Sequence, residues 1–157
     1  MELFEAIKTR RSIRKYKNNS VPEEVIKKII DAARWAPSAK NRQHWYFIII
    51  KDKKLKDEIG ENWANFAKDY FKKKSQSELQ EEFKNQSKDF SGKNWIKASQ
   101  NGTAYKYYYN APILIAVAIN NPEIENNFAS AFFAIQNLAL TAHSLGLGTC
   151  IKTYRKI

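Results

Sequence analysis

The sequence is poor in the residues that mark several common classes of protein. A single cysteine, Cys150, among 157 residues cannot form an internal disulfide, and a small buried side chain is a commoner role for it than a reactive thiol. No apolar run approaches the roughly 20 residues that span a bilayer, and the amino end lacks the basic, apolar and small-residue order of a signal peptide. We therefore expect a cytoplasmic protein.

Motifs for catalysis by side chains alone are also missing. There is no H-E-x-x-H, G-x-S-x-G, Walker loop or G-x-G-x-x-G, and Gly146-Leu147-Gly148 lacks the rest of the dinucleotide fingerprint. The two histidines, His44 and His143, are predicted to be hydrogen-bonded structural residues rather than ligands or bases. If the protein is an enzyme, we expect a cofactor to carry the difficult step.

Positive charge is abundant. Twenty-seven Lys and Arg against 16 Asp and Glu give a net charge of +11, which attracts nucleic acid, phosphate esters or dinucleotides. Most of the excess is lysine on stretches with helical spacing, a pattern typical of a solvated face.

Hydrophobic spacing predicts an α+β protein with one domain over residues 1–157. A short helix holds Leu3, Phe4 and Ile7, and a second begins at a Ser20–Glu23 capping box and stops near Ala36. Further helices are predicted at 51–74 and 124–145, the latter with a stripe that includes Phe128 and Phe132, and an irregular helical insert at about 63–109. Strands are predicted at 45–50, buried on both faces, at 113–119, and from Thr149.

Two polar segments are candidates for a site. RRSIRKY, residues 10–16, offers forked donors, a hydroxyl and backbone amides suited to a phosphate monoester, although a basic turn after a helix would look the same. PSAKNRQ, residues 37–43, joins a rigid turn to a buried strand, which suits hydrogen bonding to a flat heterocycle. The alternative for this second segment is a plain helix-to-strand connection.

Four motifs in order resemble those of the nitroreductase family of flavin enzymes. They are RRSIRKY, AARWAPSAKNRQHWYFIII, YYYNAPILIAVA and ASAFFAIQNLALTAHSLGLGTC. The resemblance implies a nitroreductase-like fold with a central, mostly antiparallel sheet flanked by helices. It also implies a homodimer that binds one FMN in each of two sites at the subunit interface.

The resemblance implies a set of cofactor-binding residues and no catalytic side chain or metal. The first motif would bind the phosphate, the ribityl chain and the ring edge, the second would reach the flavin from the partner subunit, and the segment after Gly148 would lie near the ring. The implied residues are Arg10, Arg11, Ser12 and Arg14; Pro37, Ser38, Ala39, Asn41 and, as a further member, Gln43; and Cys150 and Ile151.

The activity that the resemblance implies is electron transfer from NAD(P)H to nitroaromatics, quinones or related small molecules by a ping-pong mechanism. Aromatic residues between about Trp63 and Tyr109 would roof the substrate pocket, or would simply pack between helices.

The sequence departs from the family pattern after GTC, where IKTYRKI ends the chain before the family's last strand and its basic phosphate contact. Lys152, Arg155 or Lys156 are the candidates to replace the lost charge. One alternative on this basis is a flavin-binding relative with impaired turnover. A second alternative, based on the net charge of +11 and the tyrosines, is a basic nucleic-acid-binding module.

Overall fold

The computed structural model describes residues 1–83, 97, 100–103, 110–120 and 125–152. Within them lie the α-helices and strands α1 (Leu3–Thr9), α2 (Glu23–Arg34), β1 (Trp45–Ile50), α3 (Lys53–Lys72), α4 (Gln76–Phe83), β2 (Leu114–Ile119) and α5 (Glu125–Ser144), and a short 3-10 helix spans Ala39–Asn41. One compact unit comprises Met1–Lys51 and Ala111–Ile157, and the other comprises Asp52–Asn110. The expectation of one domain over residues 1–157 stays a prediction.

The first unit is built on an antiparallel pair of strands with helices on one face. β1 pairs with β2 so that Trp45 lies opposite Ile119 and Ile50 opposite Leu114. One face of this pair packs against α2 and α5, and the helix and strand predictions for these four elements are confirmed. The core cluster consists of Ile29, Ala33, Ala36, Trp45, Ala134, Leu138 and Ala142.

The prediction that β1 is buried on both faces is wrong. Tyr46 is 59% and Ile48 51% exposed, and both lie on the face opposite Trp45 and Phe47. An unbroken apolar run cannot separate a strand buried on two faces from one buried on a single face, because alternation is the only signal that distinguishes them.

The buried side of α5 matches its predicted stripe only in part, because Ala139 and Ala142 of that stripe are buried but its phenylalanines are not. Small residues face the core at Ala131, Ala134, Ala139 and Ala142, whereas Phe128 and Phe132 are exposed. The Asn137 side-chain amide donates to the Ala32 carbonyl oxygen at 3.2 Å and so joins α5 to the last turn of α2. Alanines let two helix backbones approach closely, which explains why they rather than the phenylalanines occupy the contact.

The predictions for the start of α2, the end of α5 and a third strand have different outcomes. α2 begins directly after Pro22 with no side-chain cap, so the Ser20 capping box is not formed. α5 ends as predicted at Gly146, whose φ of 80° is left-handed, with amide hydrogen bonds from Gly146 to His143 and from Leu147 to Ala142. In place of a third strand, the described residues contain one parallel bridge between Ser12 and Thr149.

The second unit consists of α3, α4 and the described residues that follow them. The Asp52 side chain accepts a hydrogen bond from the Leu55 amide and caps α3. The buried apolar residues of this unit on α3 are Ala64, Ala67 and Phe71. Most of the predicted irregular segment beyond Phe83 lies outside the described residues. Of the aromatic residues expected between Trp63 and Tyr109, those on α3 are described, and their rings contact one another: Trp63, Phe66, Tyr70 and Phe71. No helix in the described ranges is long and apolar enough to cross a membrane.

Candidate functional site

The first predicted segment, residues 10–16, directly follows α1 and is called the arginine segment below. Arg11 donates from Nη1 to the carbonyl oxygens of Lys8 at 2.7 Å and Arg10 at 2.9 Å, and so caps the carboxyl end of the helix. Arg14 donates to the Ser12 carbonyl oxygen at 3.3 Å. Within the described part of the chain, the Arg10 side chain makes no hydrogen bond or ion pair, so its donors are available to an anion.

The segment is fixed against the chain that leaves α5. The Ile13 amide donates to the Thr149 carbonyl oxygen at 2.9 Å, next to the bridge between Ser12 and Thr149. A side chain at Gly148 would place its Cβ 2.8 Å from the Ile13 Cβ, which shows how closely the two backbones approach. The structure therefore brings Ser12 beside the stretch that includes Cys150.

Lys152 adds a further cation next to this segment. Desolvation lowers the pKa of Lys152 to about 8; the nearby Cys150 opposes this shift, and the positive charge of Arg14 contributes to it. The positive charges of Arg14 and Lys152 favour an anion near this segment. Lys152 is one of the three residues expected to supply a phosphate contact; Arg155 and Lys156 lie outside the described residues.

The second predicted segment, residues 37–43, forms a turn that is held by hydrogen bonds between its own residues. The Ser38 carbonyl oxygen accepts from the Asn41 amide at 2.9 Å, and the Ser38 hydroxyl oxygen accepts from the Gln43 amide at 3.0 Å. The Gln43 side chain donates to Asn41 Oδ1 at 2.9 Å. Lys40, Asn41 and Gln43 all have φ between 50° and 54°, a left-handed conformation that non-glycine residues adopt mainly at turns and functional sites.

A shallow depression of about 260 Å³ lies between this turn and the first half of α5. Pro37, Ser38 and Ala39 form one wall, and Phe133 contributes to the other. The Ser130 hydroxyl, which is buried, donates to the Asn126 carbonyl oxygen at 2.6 Å and accepts from the Ala39 amide at 3.4 Å. The turn is thereby tied to α5 itself and not only to β1.

The two segments are attached to opposite halves of α5. The turn is held at Ser130, whereas the arginine segment is held at His143, where Nε2 lies 2.8 Å from Thr9 Oγ1. At a rise of about 1.5 Å per residue, these attachment points lie about 20 Å apart along the helix axis. The predicted site residues thus form two separate groups in one chain.

Three site features have no signal in the sequence. Ser130, the pair of Thr9 and His143, and the close approach at Gly148 depend on contacts between distant parts of the chain. Cys150 is half-buried and Ile151 exposed, and no contact of either side chain among the described residues assigns it a role. The residues in the described ranges contain no group of three His, Cys, Asp or Glu side chains that could hold a metal ion.

Comparison with known proteins defines the class. The model of the nitroreductase family matches residues 7–157, and the chain belongs to this family. An NADH dehydrogenase/NAD(P)H nitroreductase of Methanothermobacter thermautotrophicus is 51% identical over 61 residues, which cover 39% of this chain and 32% of that protein. The matched segments span about a third of the length of this relative and of two other curated relatives.

Solved structures agree over nearly the whole chain. A nitroreductase with bound FMN from Bacteroides fragilis superposes with a TM-score of 0.66 at 27% identity, covering 96% of this chain and 68% of that one. An iodotyrosine deiodinase bound to FMN and 3-iodo-L-tyrosine gives a TM-score of 0.73 at 26% identity, covering 97% of this chain and 74% of that one. The expectation of an α+β, nitroreductase-like fold is confirmed.

Proposed function

We propose that the protein is an FMN-dependent oxidoreductase that transfers electrons from NAD(P)H to nitroaromatics, quinones or related acceptors. Membership of the nitroreductase family supports this, as do the similar structures with bound FMN. The observation that carries the proposal is that two complementary segments are attached to α5. One is the cationic arginine segment, and the other is the hydrogen-bonding turn of residues 37–43.

The arginine segment fits the phosphate of FMN. Arg10 has unused donors, and Arg14 and Lys152 lie close enough for the charge of one to lower the pKa of the other. A bound phosphate would relieve this repulsion and accept charge-assisted hydrogen bonds from the same groups. Arg11 is partly occupied as a helix cap, so we assign it a weaker contact than Arg10.

The turn fits the polar edge of the flavin ring. The Ser38 hydroxyl oxygen already accepts from the Gln43 amide, which leaves its proton to donate to a carbonyl or ring nitrogen. Pro37 and Ala39 supply apolar surface for a flat ring. When bound, FMN would accept hydride from NAD(P)H and pass electrons on to the second substrate, so no side chain is required as a general acid or base.

A homodimer would complete the site. The arginine segment of one protomer and the turn of its partner could meet across the interface, whereas in one chain they are attached about 20 Å apart along α5. Exposed Phe128 and Phe133 on α5 offer apolar surface for such an interface. Each dimer would then hold two equivalent FMN sites.

The proposal is tested by the absorbance spectrum and turnover of purified protein. We expect about one FMN per chain and, with oxygen excluded, sustained oxidation of NADPH or NADH only when a nitroaromatic or a quinone is supplied. Bound flavin that neither nucleotide bleaches would identify the impaired relative instead. Colourless protein that fails to bind added FMN would refute the proposal, and salt-sensitive retention on single-stranded DNA would then favour the nucleic-acid-binding alternative.

A further inference from the structure

One side-chain contact links the two ends of the first unit's sequence. His143 Nε2, in the last turn of α5, lies 2.8 Å from the hydroxyl oxygen of Thr9, the last residue of α1. The two residues are 134 positions apart in the sequence. Neither belongs to the residues proposed to contact FMN.

The hydrogen-bond directions in this contact are determined by Thr9. Its hydroxyl donates to the Glu5 carbonyl oxygen at 2.6 Å, so its single proton is already used and its oxygen can only accept. His143 must therefore donate from Nε2–H. Because both the neutral ring with a proton on Nε2 and the imidazolium carry this hydrogen, the contact does not depend on protonation of Nδ1.

The contact places Arg10 and Arg11 between two fixed points. Thr9 is held by His143 on one side, and on the other side Ser12 and Ile13 are held by Thr149. Both attachments lead to the carboxyl end of α5, so the arginine backbone is a two-residue bridge anchored at each end. α1 has only seven residues, too few to be stable on its own, and depends on such contacts.

We infer that His143 is a positioning residue that orients Arg10 and Arg11 for an anionic ligand by holding Thr9. This inference rests on the proposed function, because it takes the ligand to be the phosphate of FMN. Without the His143 contact, the arginines must be ordered when the ligand binds, and that entropic cost lowers the affinity. Riboflavin has the same ring without the phosphate, so its affinity should not change.

The test compares FMN and riboflavin binding by fluorescence quenching. His143→Ala should weaken FMN binding about fivefold to tenfold, the value of one hydrogen bond, and leave riboflavin binding unchanged. His143→Gln, which keeps a donor near the position of Nε2, should restore most of the FMN affinity, whereas His143→Asn, whose amide is too short to reach Thr9, should not. Thr9→Val should reproduce His143→Ala, and the double variant should be no weaker than either single variant.

Ser144→Ala is the matched control, because the Ser144 hydroxyl donates only within its own helix, to Thr141, and both affinities should stay unchanged. Urea unfolding of each variant without flavin separates positioning from loss of fold. An equal loss of affinity for FMN and riboflavin in His143→Ala would overturn the inference while leaving the proposed function intact. So would a His143→Gln variant that binds FMN as weakly as His143→Ala. Wild-type protein that binds neither flavin would overturn both.

Discussion

At the scale of single residues, the turn after α2 is the most strained part of the described chain. Lys40, Asn41 and Gln43 adopt left-handed backbone conformations, each at a cost of about 1 kcal/mol for a residue with a side chain. Strain of this kind persists where surrounding contacts impose it, and here Ser38 imposes it through two hydrogen bonds.

Replacing Lys40 by glycine tests this strain. Lys40 is exposed and has a φ of 54°, so Lys40→Gly should stabilise the protein by about 0.5 kcal/mol, since relief of strain exceeds the added entropy of the unfolded chain. Arg42→Gly is the control, because Arg42 has an ordinary helical φ of −74° and should lose stability. The measurement is urea unfolding, and a loss of stability in Lys40→Gly would contradict the account.

The lowered pKa of Lys152 predicts the pH dependence of FMN binding. Desolvation lowers the pKa to about 8, and the charge of Arg14 contributes to the same shift. The side chain is charged below this pH and attracts a phosphate dianion, so FMN affinity should fall as pH rises through about 8. In Lys152→Met, affinity should be lower at pH 7 and nearly constant from pH 7 to 9. Parallel pH profiles for the two proteins would refute a role for Lys152.

At the scale of helices and strands, the sequence predicts the bounds of each element better than the face that the element buries. α2, β1, β2 and α5 lie within about two residues of their expected bounds, because helical spacing and continuous apolar runs are local signals. Which face of β1 is buried, and which side of α5 meets α2, depends on partners elsewhere in the chain. For this reason the exposure of Tyr46 and Phe128 cannot be predicted from the local sequence pattern.

The close approach between Gly148 and Ile13 gives a prediction at this scale. In Gly148→Ala the new Cβ would lie 2.8 Å from the Ile13 Cβ, which is itself fixed to the backbone, so the two segments must separate. We expect a loss of about 1–3 kcal/mol in unfolding free energy and weaker FMN binding, since Ser12 would move away from Thr149.

The nearby Gly146 supplies the control for that substitution. Its φ of 80° requires a residue that tolerates the left-handed region, and nothing lies within 4 Å of a Cβ built there. Gly146→Asn should therefore cost little, because asparagine tolerates that conformation. FMN affinity equal to wild type in Gly148→Ala would contradict the predicted displacement.

At the scale of the whole molecule, the proposed dimer depends on the apolar surface of α5. Phe128 is 48% and Phe133 52% exposed, and burying such side chains in an interface contributes on the order of 2 kcal/mol each. The variant Phe128→Glu, which leaves Phe133 in the wall of the depression unchanged, should sediment as a monomer and lose FMN. Lys28→Glu, an exposed change on α2, is the control and should remain dimeric. A wild-type monomer with bound FMN would contradict the dimeric site.

The two segments of the candidate site can be identified from the sequence, but the contacts that hold them cannot. The types and order of residues in RRSIRKY and PSAKNRQ point to a phosphate and a heterocycle, because donors and turn residues are read directly from the sequence. The attachment of one segment at Ser130 and of the other at His143 is a property of the folded chain. That separation is the reason why the proposed site takes its two segments from different protomers.

Mixing two binding-deficient variants tests the shared site most directly. Arg10→Glu should repel the phosphate, and Ser38→Ala should loosen the turn, so that neither homodimer retains FMN. If each site combines the arginines of one protomer with the turn of its partner, a heterodimer of the two variants has one intact site. After unfolding and refolding together, the heterodimer should bind one FMN per dimer; no recovery would show that each site is built within a single chain.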